Sequence, residues 1–380
     1  MLYDLLIKGG TLVDPAQNIN ARKDVAFADS RVAAVADDIA TDQAHQSIDA
    51  SGRIVTPGMI DLHVHIYPGV SHFGVEPDAT CLARGATTVV DAGSAGADTF
   101  PGFRKFIIDA SDTRIRAMLN ISSTGMVSED VGEFALPEYA NVDRCCQMIE
   151  QHRDLILGVK VRLTKNSIVS EAVGMTPLER ARQAADAAGL PIMVHPQAAW
   201  CDSLDDILAL MGKDDILTHC FHGMECGILD DEGNVRPAVH EALDRGVIFD
   251  VGHGAGSFVW DTVEKALAQG VTPQTISSDL HIYNVNGPVY DLAHVVSKFL
   301  YLGHSLDEAI AKVTSVPAQV MRMSDIGTLA QGAWGDAVIF ELRQGQFQLL
   351  DCQGTARTAT QDLAPVTVVK SGRIYRTHTA

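Results

Sequence analysis

GRIVTPGMIDLHVH, residues 52–65, is where the chain changes from one kind of sequence to another. Its first part, Arg53-Ile54-Val55, reads as a short strand stopped by Thr56-Pro57-Gly58, a strong turn signal. From Met59 onward the pattern is apolar strand followed by helix. The strands are ATTVVDAG, RAMLNIS, ILGVKVRL, LPIMVHP, DILTHCF, GVIFDVGHG and QTISSDLH. Between them PLERARQAADAAG, PAVHEALDRG and DTVEKALAQG carry helical periodicity and end at glycine. Repeated strand-then-helix units predict an α/β fold with a parallel sheet, and eight of them predict a closed (β/α)8 TIM-type barrel.

Upstream, LLIKGG, TLVDP and DVAFADSRVAAV alternate short β-rich runs with turns. Downstream, after the helical LDEAIAKVTSVPAQVM, the tail returns to strands in DAVIFEL, QFQLLD and PVTVVKSGRIY. The expectation is therefore a barrel over 56–324 and a small β-sandwich-like domain formed by both chain ends, 1–55 with 325–380.

Composition narrows the function. The 380 residues include 29 Lys+Arg against 48 Asp+Glu, a formal net charge of -19, with 46% hydrophobic residues. Such a chain can bury a large core, and its charge repels phosphate backbones and anionic lipid. A small-molecule substrate is expected, with no nucleic acid and no membrane as partner; homo-oligomerisation is left open. Seven scattered cysteines without a CxxC spacing read as reduced thiols. Asp4 and Lys8 interrupt the apolar start, which argues against a secretion signal and for a cytoplasmic protein.

His63 and His65 are two residues apart, so on a strand both side chains point to one face. A lone buried histidine is usually a hydrogen-bonded core residue; two on one strand face point to metal, because imidazole is a common zinc ligand. Lys160, His195, His219 and Asp279 recur at the C-terminal ends of later strands, the end where barrels assemble their chemistry. Lys160 sits among Leu157, Val159, Val161 and Leu163. An ammonium there carries a large desolvation cost unless it is paired, snorkels to water or is modified. Beside four histidines, a carboxylated lysine, whose carbamate can bridge two cations, makes better sense.

This set resembles the amidohydrolase superfamily of metal-dependent hydrolases, which includes dihydroorotase, hydantoinase and various deacetylases. The resemblance rests on LLIKGGTLVDP, GRIVTPGMIDLHVH, the strand-borne Lys, His, His and Asp, and IGTLAQGAWGDAVIFEL. The LTHCFHG context is similar to a dihydroorotase-like branch, some of whose members are deacetylases or esterases acting on acetylated α-hydroxy acids. The resemblance implies that His63, His65 and Asp279 hold one metal, that His195 and His219 hold a second, and that carboxylated Lys160 bridges them. Two divalent ions are implied, with zinc preferred and manganese or iron open for the same donors.

The implied reaction is hydrolysis of an ester or amide by a metal-bridging hydroxide, the ions ~3.5–4 Å apart, with Asp279 as ligand and proton shuttle. Arg162, two residues beyond Lys160, is a candidate for a substrate carboxylate or for an ion pair with a buried acid. His222, His253, His281 and Tyr283 are further candidates for substrate contact, although ordinary loop roles fit the histidines at 222 and 253 as well. Asp91 and Asn120 are expected to support the ligands. Three other readings stay open: a cyclic amidase of dihydroorotase or hydantoinase type; a nucleobase deaminase, disfavoured because mononuclear deaminases of the superfamily do not need the bridging Lys160; and a catalytically silent oligomeric scaffold.

Overall fold

The computed structural model describes residues 2–375. Residue 1 and residues 376–380, the extremes of the expected end domain, lie outside it. The fold is α/β, built on a curled seven-stranded parallel sheet whose neighbours follow chain order. Its strands are β1 (Met59–Val64), β2 (Ala86–Gly96), β3 (Arg114–Asn120), β4 (Ile156–Arg162), β5 (Ile192–His195), β6 (Ile216–Leu217) and β7 (Ile248–Phe249). Strand β2, ATTVVDAGSAG, is buried along its whole length, as expected of a parallel sheet covered on both faces.

The expected strand QTISSDLH is not a regular strand. Residues 275–280 nevertheless lie between the two edges of the sheet. On one side, Val251 N donates to Thr275 O at 3.2 Å and His253 N to Ser277 O at 3.2 Å. On the other, Asp279 N donates to His63 O at 2.8 Å and His65 N to Leu280 O at 2.9 Å. The regular ladder fails because Asp279 is left-handed, with φ 49°, and because Ser278 N gives its bond to the Asp61 side chain at 2.9 Å.

The helices start and stop where the chemistry says. Thr176–Ala188 ends on Gly189 in the left-handed conformation at φ 66°. The stretch LDEAIAKVTSVPAQVM, read as one helix, is two: Leu306–Ala311 and Ser315–Val320. Pro317 has no N–H to continue a preceding helix, so it falls in the first turn of a new one.

Both chain ends contribute to one six-stranded sheet. In it Ile54–Pro57 pairs in parallel with Thr11–Asp14 and antiparallel with Ala337–Leu350. A four-stranded sheet from residues 3–8, 24–28, 31–36 and 44–49 packs on it, sharing a core of Leu5, Ile7, Phe27, Val55, Ile339 and Val369. The six-stranded sheet is tied to β3 by buried Asp336, which accepts from Arg114, from Lys370 at 3.0 Å and from Ser371 N at 2.8 Å.

Candidate metal centre

The histidines of β1 are oriented by hydroxyl relays. His63 Nδ1 lies 2.8 Å from Thr218 Oγ1, and that hydroxyl donates to Asp250 Oδ2 at 2.9 Å. The single hydroxyl proton is thus committed, so His63 Nδ1 carries the hydrogen and donates, leaving Nε2 as a bare lone pair. The same logic holds for His65. Its Nδ1 is 3.0 Å from Ser94 Oγ, whose hydroxyl is bonded to Asp91. His219 Nδ1 is 2.7 Å from Gly252 O, a group that only accepts, so its Nε2 is bare too. Burial holds His63 and His65 well below the usual imidazole range and pushes His219 down to about 3, so all three are neutral.

Into this set points Asp279. Its Oδ1 lies 3.3 Å from His63 Nε2 and 3.2 Å from His65 Nε2, is buried, and has no hydrogen-bond partner among the described residues. A carboxylate oxygen facing two imidazole lone pairs is repulsive, and a buried oxygen without a partner is costly. A cation among the three turns both penalties into bonds. His63, His65 and Asp279 offer ligand atoms all within 4.8 Å of one another, which suits a divalent ion.

Asp279 and His219 hold this geometry in left-handed backbone, at φ 49° and φ 62°, a conformation that non-glycine residues adopt at a cost. The glycine-rich loop after β7 supplies the room. A Cβ on Gly252 would stand 2.3 Å from Thr218 Oγ1, and one on Gly254 2.4 Å from Asp279 Oδ2. These glycines admit the side chains of the centre rather than a ligand. Gly254→Ala is therefore expected to displace the Asp279 carboxylate and lower kcat by about 10²-fold, the usual result of a misplacement near 1 Å. Steady-state kinetics with metal content measured in parallel check this.

Lys160 is fully buried, with Nζ 3.4 Å from His63 Nε2 and 3.7 Å from Met193 Sδ. Burial brings its pKa down to about 8, against the pull of Asp279 and Glu133. Gly93 makes space for it: a Cβ there would lie 2.6 Å from Lys160 Cγ. His195 completes the group, its ring centroid 4.2 Å from that of His219, with Nε2 3.4 Å from Thr164 Oγ1. The four histidines, Lys160 and Asp279 thus converge on one place.

Arg162 forms the ion pair considered for it and keeps one nitrogen unpaired among the described residues. Nε donates to Glu133 Oε1 at 2.6 Å, while Nη2 is buried without a partner. Glu133 also accepts from Asn120 Nδ2 at 2.7 Å. Around Arg162 the mouth is aromatic: Phe73 stacks on His65 at 5.2 Å, lies 4.7 Å from His281 and 5.8 Å from Tyr283, and receives the guanidinium at 5.4 Å. Tyr283 is 61% exposed, so its ring sits at the rim. His222 is buried and accepts from Met224 N at 3.2 Å.

His253 departs from the expectation of substrate contact. Its ring stacks on Phe258, Nδ1 donates to Gly254 O at 2.9 Å, and Nε2 accepts from Lys298 Nζ at 2.6 Å, so neither nitrogen is left for a ligand. Thr218, Ser94, Asp250, Glu133 and Phe73 carry the arrangement, although sequence reasoning passed over them. For Thr218 and Asp250 a signal existed, since Thr218 adjoins His219 at the end of an apolar run and Asp250 interrupts the apolar run from Val247 to Val251. Phe73 and Glu133 lie in long loops without a local pattern.

The buried imidazoles set an acid limit on the metal-free fold. His219 is pushed to about 3 and His222 and His281 to about 4, chiefly by burial, while unfolded histidine titrates near 6.5. Below pH 6.5 the unfolded chain binds more protons, so stability falls as pH drops towards 4 and is level above 6.5. The expected slope is on the order of 1 kcal/mol per pH unit for each such histidine, read from denaturant unfolding of chelator-treated protein.

Residues 54–375 match the Amidohydrolase family. The chain is 36% identical over 380 residues to a protein of Enterococcus faecalis named deacetylase, covering 99% of this chain and 100% of that one. A crystal structure titled as an adenine deaminase superposes with a TM-score of 0.90 at 35% identity, over 98% of this chain and 100% of that one. One titled as a dihydroorotase gives 0.88 at 32%, over 98% and 97%. With a match over most of its length and a neutral histidine–carboxylate centre at the strand ends, this chain belongs to the amidohydrolase family of hydrolytic enzymes.

Proposed function

We propose that the protein is a metal-dependent deacetylase or esterase that removes an acyl group from a small carboxylate-bearing substrate, such as an acetylated α-hydroxy acid. The observation that carries this reading is the orphaned Asp279 Oδ1 between two bare Nε2 atoms. The full-length similarity to a protein named deacetylase supports the bond type. In this reading His63, His65 and Asp279 would hold one cation, His195 and His219 a second, and Lys160, if carboxylated, would be a ligand shared by the two; zinc suits the donors. Bound there, the cations supply Lewis-acid polarisation of a carbonyl and acidify water to a nucleophile at neutral pH.

The chain's own residues do the rest. The hydroxyl relays through Thr218 and Ser94 fix the tautomer and aim the imidazoles, which burial keeps neutral. Asp279 takes the proton of the attacking water on its carboxylate and hands it to the leaving alkoxide or amine. Arg162, fixed through Nε by Glu133, offers Nη2 to the substrate carboxylate. His222, His281 and Tyr283 shape the mouth. For the fold, the bonds from residues 275–280 to both sheet edges support an eight-fold closed barrel. The shared core of the two terminal sheets supports a composite end domain.

The similarity to a structure titled dihydroorotase favours a second reading, a cyclic amidase. Metal-reconstituted protein assayed on O-acetyl and N-acetyl carboxylic acids, dihydroorotate and hydantoins separates the two. Turnover is expected on the acyl set; turnover confined to the cyclic amides would replace the first reading by the second.

A further inference from the structure

The loop after β5 and the loop after β6 run side by side beyond His195 and His219. Ala198 N donates to Glu225 O at 3.1 Å, Lys165 N donates to Ala198 O at 2.9 Å, and Lys165 and Glu225 form an ion pair across the seam. In this seam Cys201 Sγ and Cys226 Sγ lie 3.4 Å apart. Cys201 is half-buried and Cys226 is 8% exposed, whereas Cys81, Cys145 and Cys220 are sealed in the core. The S–H of Cys201 holds the Cys226 thiol below its ordinary range, against its burial, and the Ala199 backbone helps; Glu225 and Lys165, paired with each other, act in opposite directions. A lowered thiol in contact with a second, half-buried thiol on a neighbouring loop is the arrangement of a reactive cysteine with a resolving partner.

We propose that Cys201 and Cys226 are a peroxide-sensitive dithiol whose disulfide clasps these two loops at the mouth of the metal centre. The Cys226 thiolate attacks one oxygen of a peroxide, breaking the O–O bond; with a proton, hydrogen peroxide leaves as water and sulfur becomes a sulfenic acid. The Cys201 thiol then attacks that sulfur and expels a second water. Two thiols are oxidised, one peroxide is reduced, and one S–S bond forms. The sulfurs, 3.4 Å apart, need to close to about 2.05 Å.

The clasp reaches the mouth through two contacts. The Cys226 backbone hydrogen-bonds the His222 ring. On the other loop Gln197, four residues before Cys201, donates to Ser257 Oγ at 2.9 Å and Gly256 O at 3.1 Å, in the glycine-rich loop that packs against Asp279.

Metal-loaded, full-length protein treated with hydrogen peroxide is expected to lose two of its seven titratable thiols and the mass of two hydrogens. It should yield a proteolytic peptide joining Cys201 to Cys226 and recover with dithiothreitol. Cys201→Ser should stop at a sulfenic acid trapped by dimedone. Amide exchange in residues 196–203 and 220–227 should slow in the linked form. Absence of the joined peptide, the same thiol loss in the Cys201→Ser/Cys226→Ser double variant, or unchanged exchange in the linked protein would each overturn the proposal.

Discussion

Asp279→Asn is expected to lower kcat by about 10²–10⁴-fold, the range that general acid–base groups contribute. The size follows from two losses at one atom. The amide keeps the shape of the carboxylate but removes the negative charge that compensates a cation between His63 and His65, whose Nε2 atoms lie 3.3 and 3.2 Å from Oδ1. It also removes a carboxylate that can pass a proton, while burial keeps His63, His65 and His219 unprotonated. Two readouts separate the losses. Metal content by elemental analysis reports the ligand role, and kcat of metal-saturated protein reports the proton role. Near-full turnover with full metal would remove Asp279 from proton transfer and leave it a ligand alone.

On the proposed reading, Lys160→Ala removes a ligand and is expected to lose bound metal and at least about 10²-fold of turnover, more than the 10–100-fold of an outer-shell partner. Lys160 is fully buried, and its amine faces an imidazole and a thioether rather than a carboxylate. The low dielectric brings it to about 8, so an appreciable neutral fraction is present at pH 7–8 and can add carbon dioxide. Truncation to alanine leaves a hole the length of the side chain, and formate or acetate can enter it as a replacement carboxylate. Partial recovery of metal and activity with these acids is the expected result. Lys160→Met fills the hole and is expected to show no recovery. Unchanged metal content in Lys160→Ala would rule out the bridge.

Much of the centre was legible locally. The spacing of His63 and His65 puts both on one strand face, and polar residues ending apolar strands mark the functional end of a parallel sheet. A lysine in ILGVKVRL demands an explanation from desolvation alone. Other features were out of reach because they depend on groups far apart in the chain. Arg162 read equally well as a free carboxylate binder or as half of an ion pair; Glu133, 29 residues away, takes Nε and leaves Nη2. His253 read as a mouth residue until Lys298, 45 residues on, engaged its ring from behind. The last strand read as regular, but Asp279 enters the centre only by leaving β geometry.

The sequence by itself determined the alternation of strand and helix, the nitrogen and oxygen donors at the strand ends, and the acidic net charge. Periodicity, side-chain chemistry and charge are local quantities. The tertiary structure decided which nitrogen of each histidine is bare, which oxygen of Asp279 is left without a partner, and which glycines admit those side chains. A tautomer is set by the partner on the opposite nitrogen, and Thr218, Ser94 and Gly252 come to His63, His65 and His219 from other strands and loops. Only packing brings them within 3 Å.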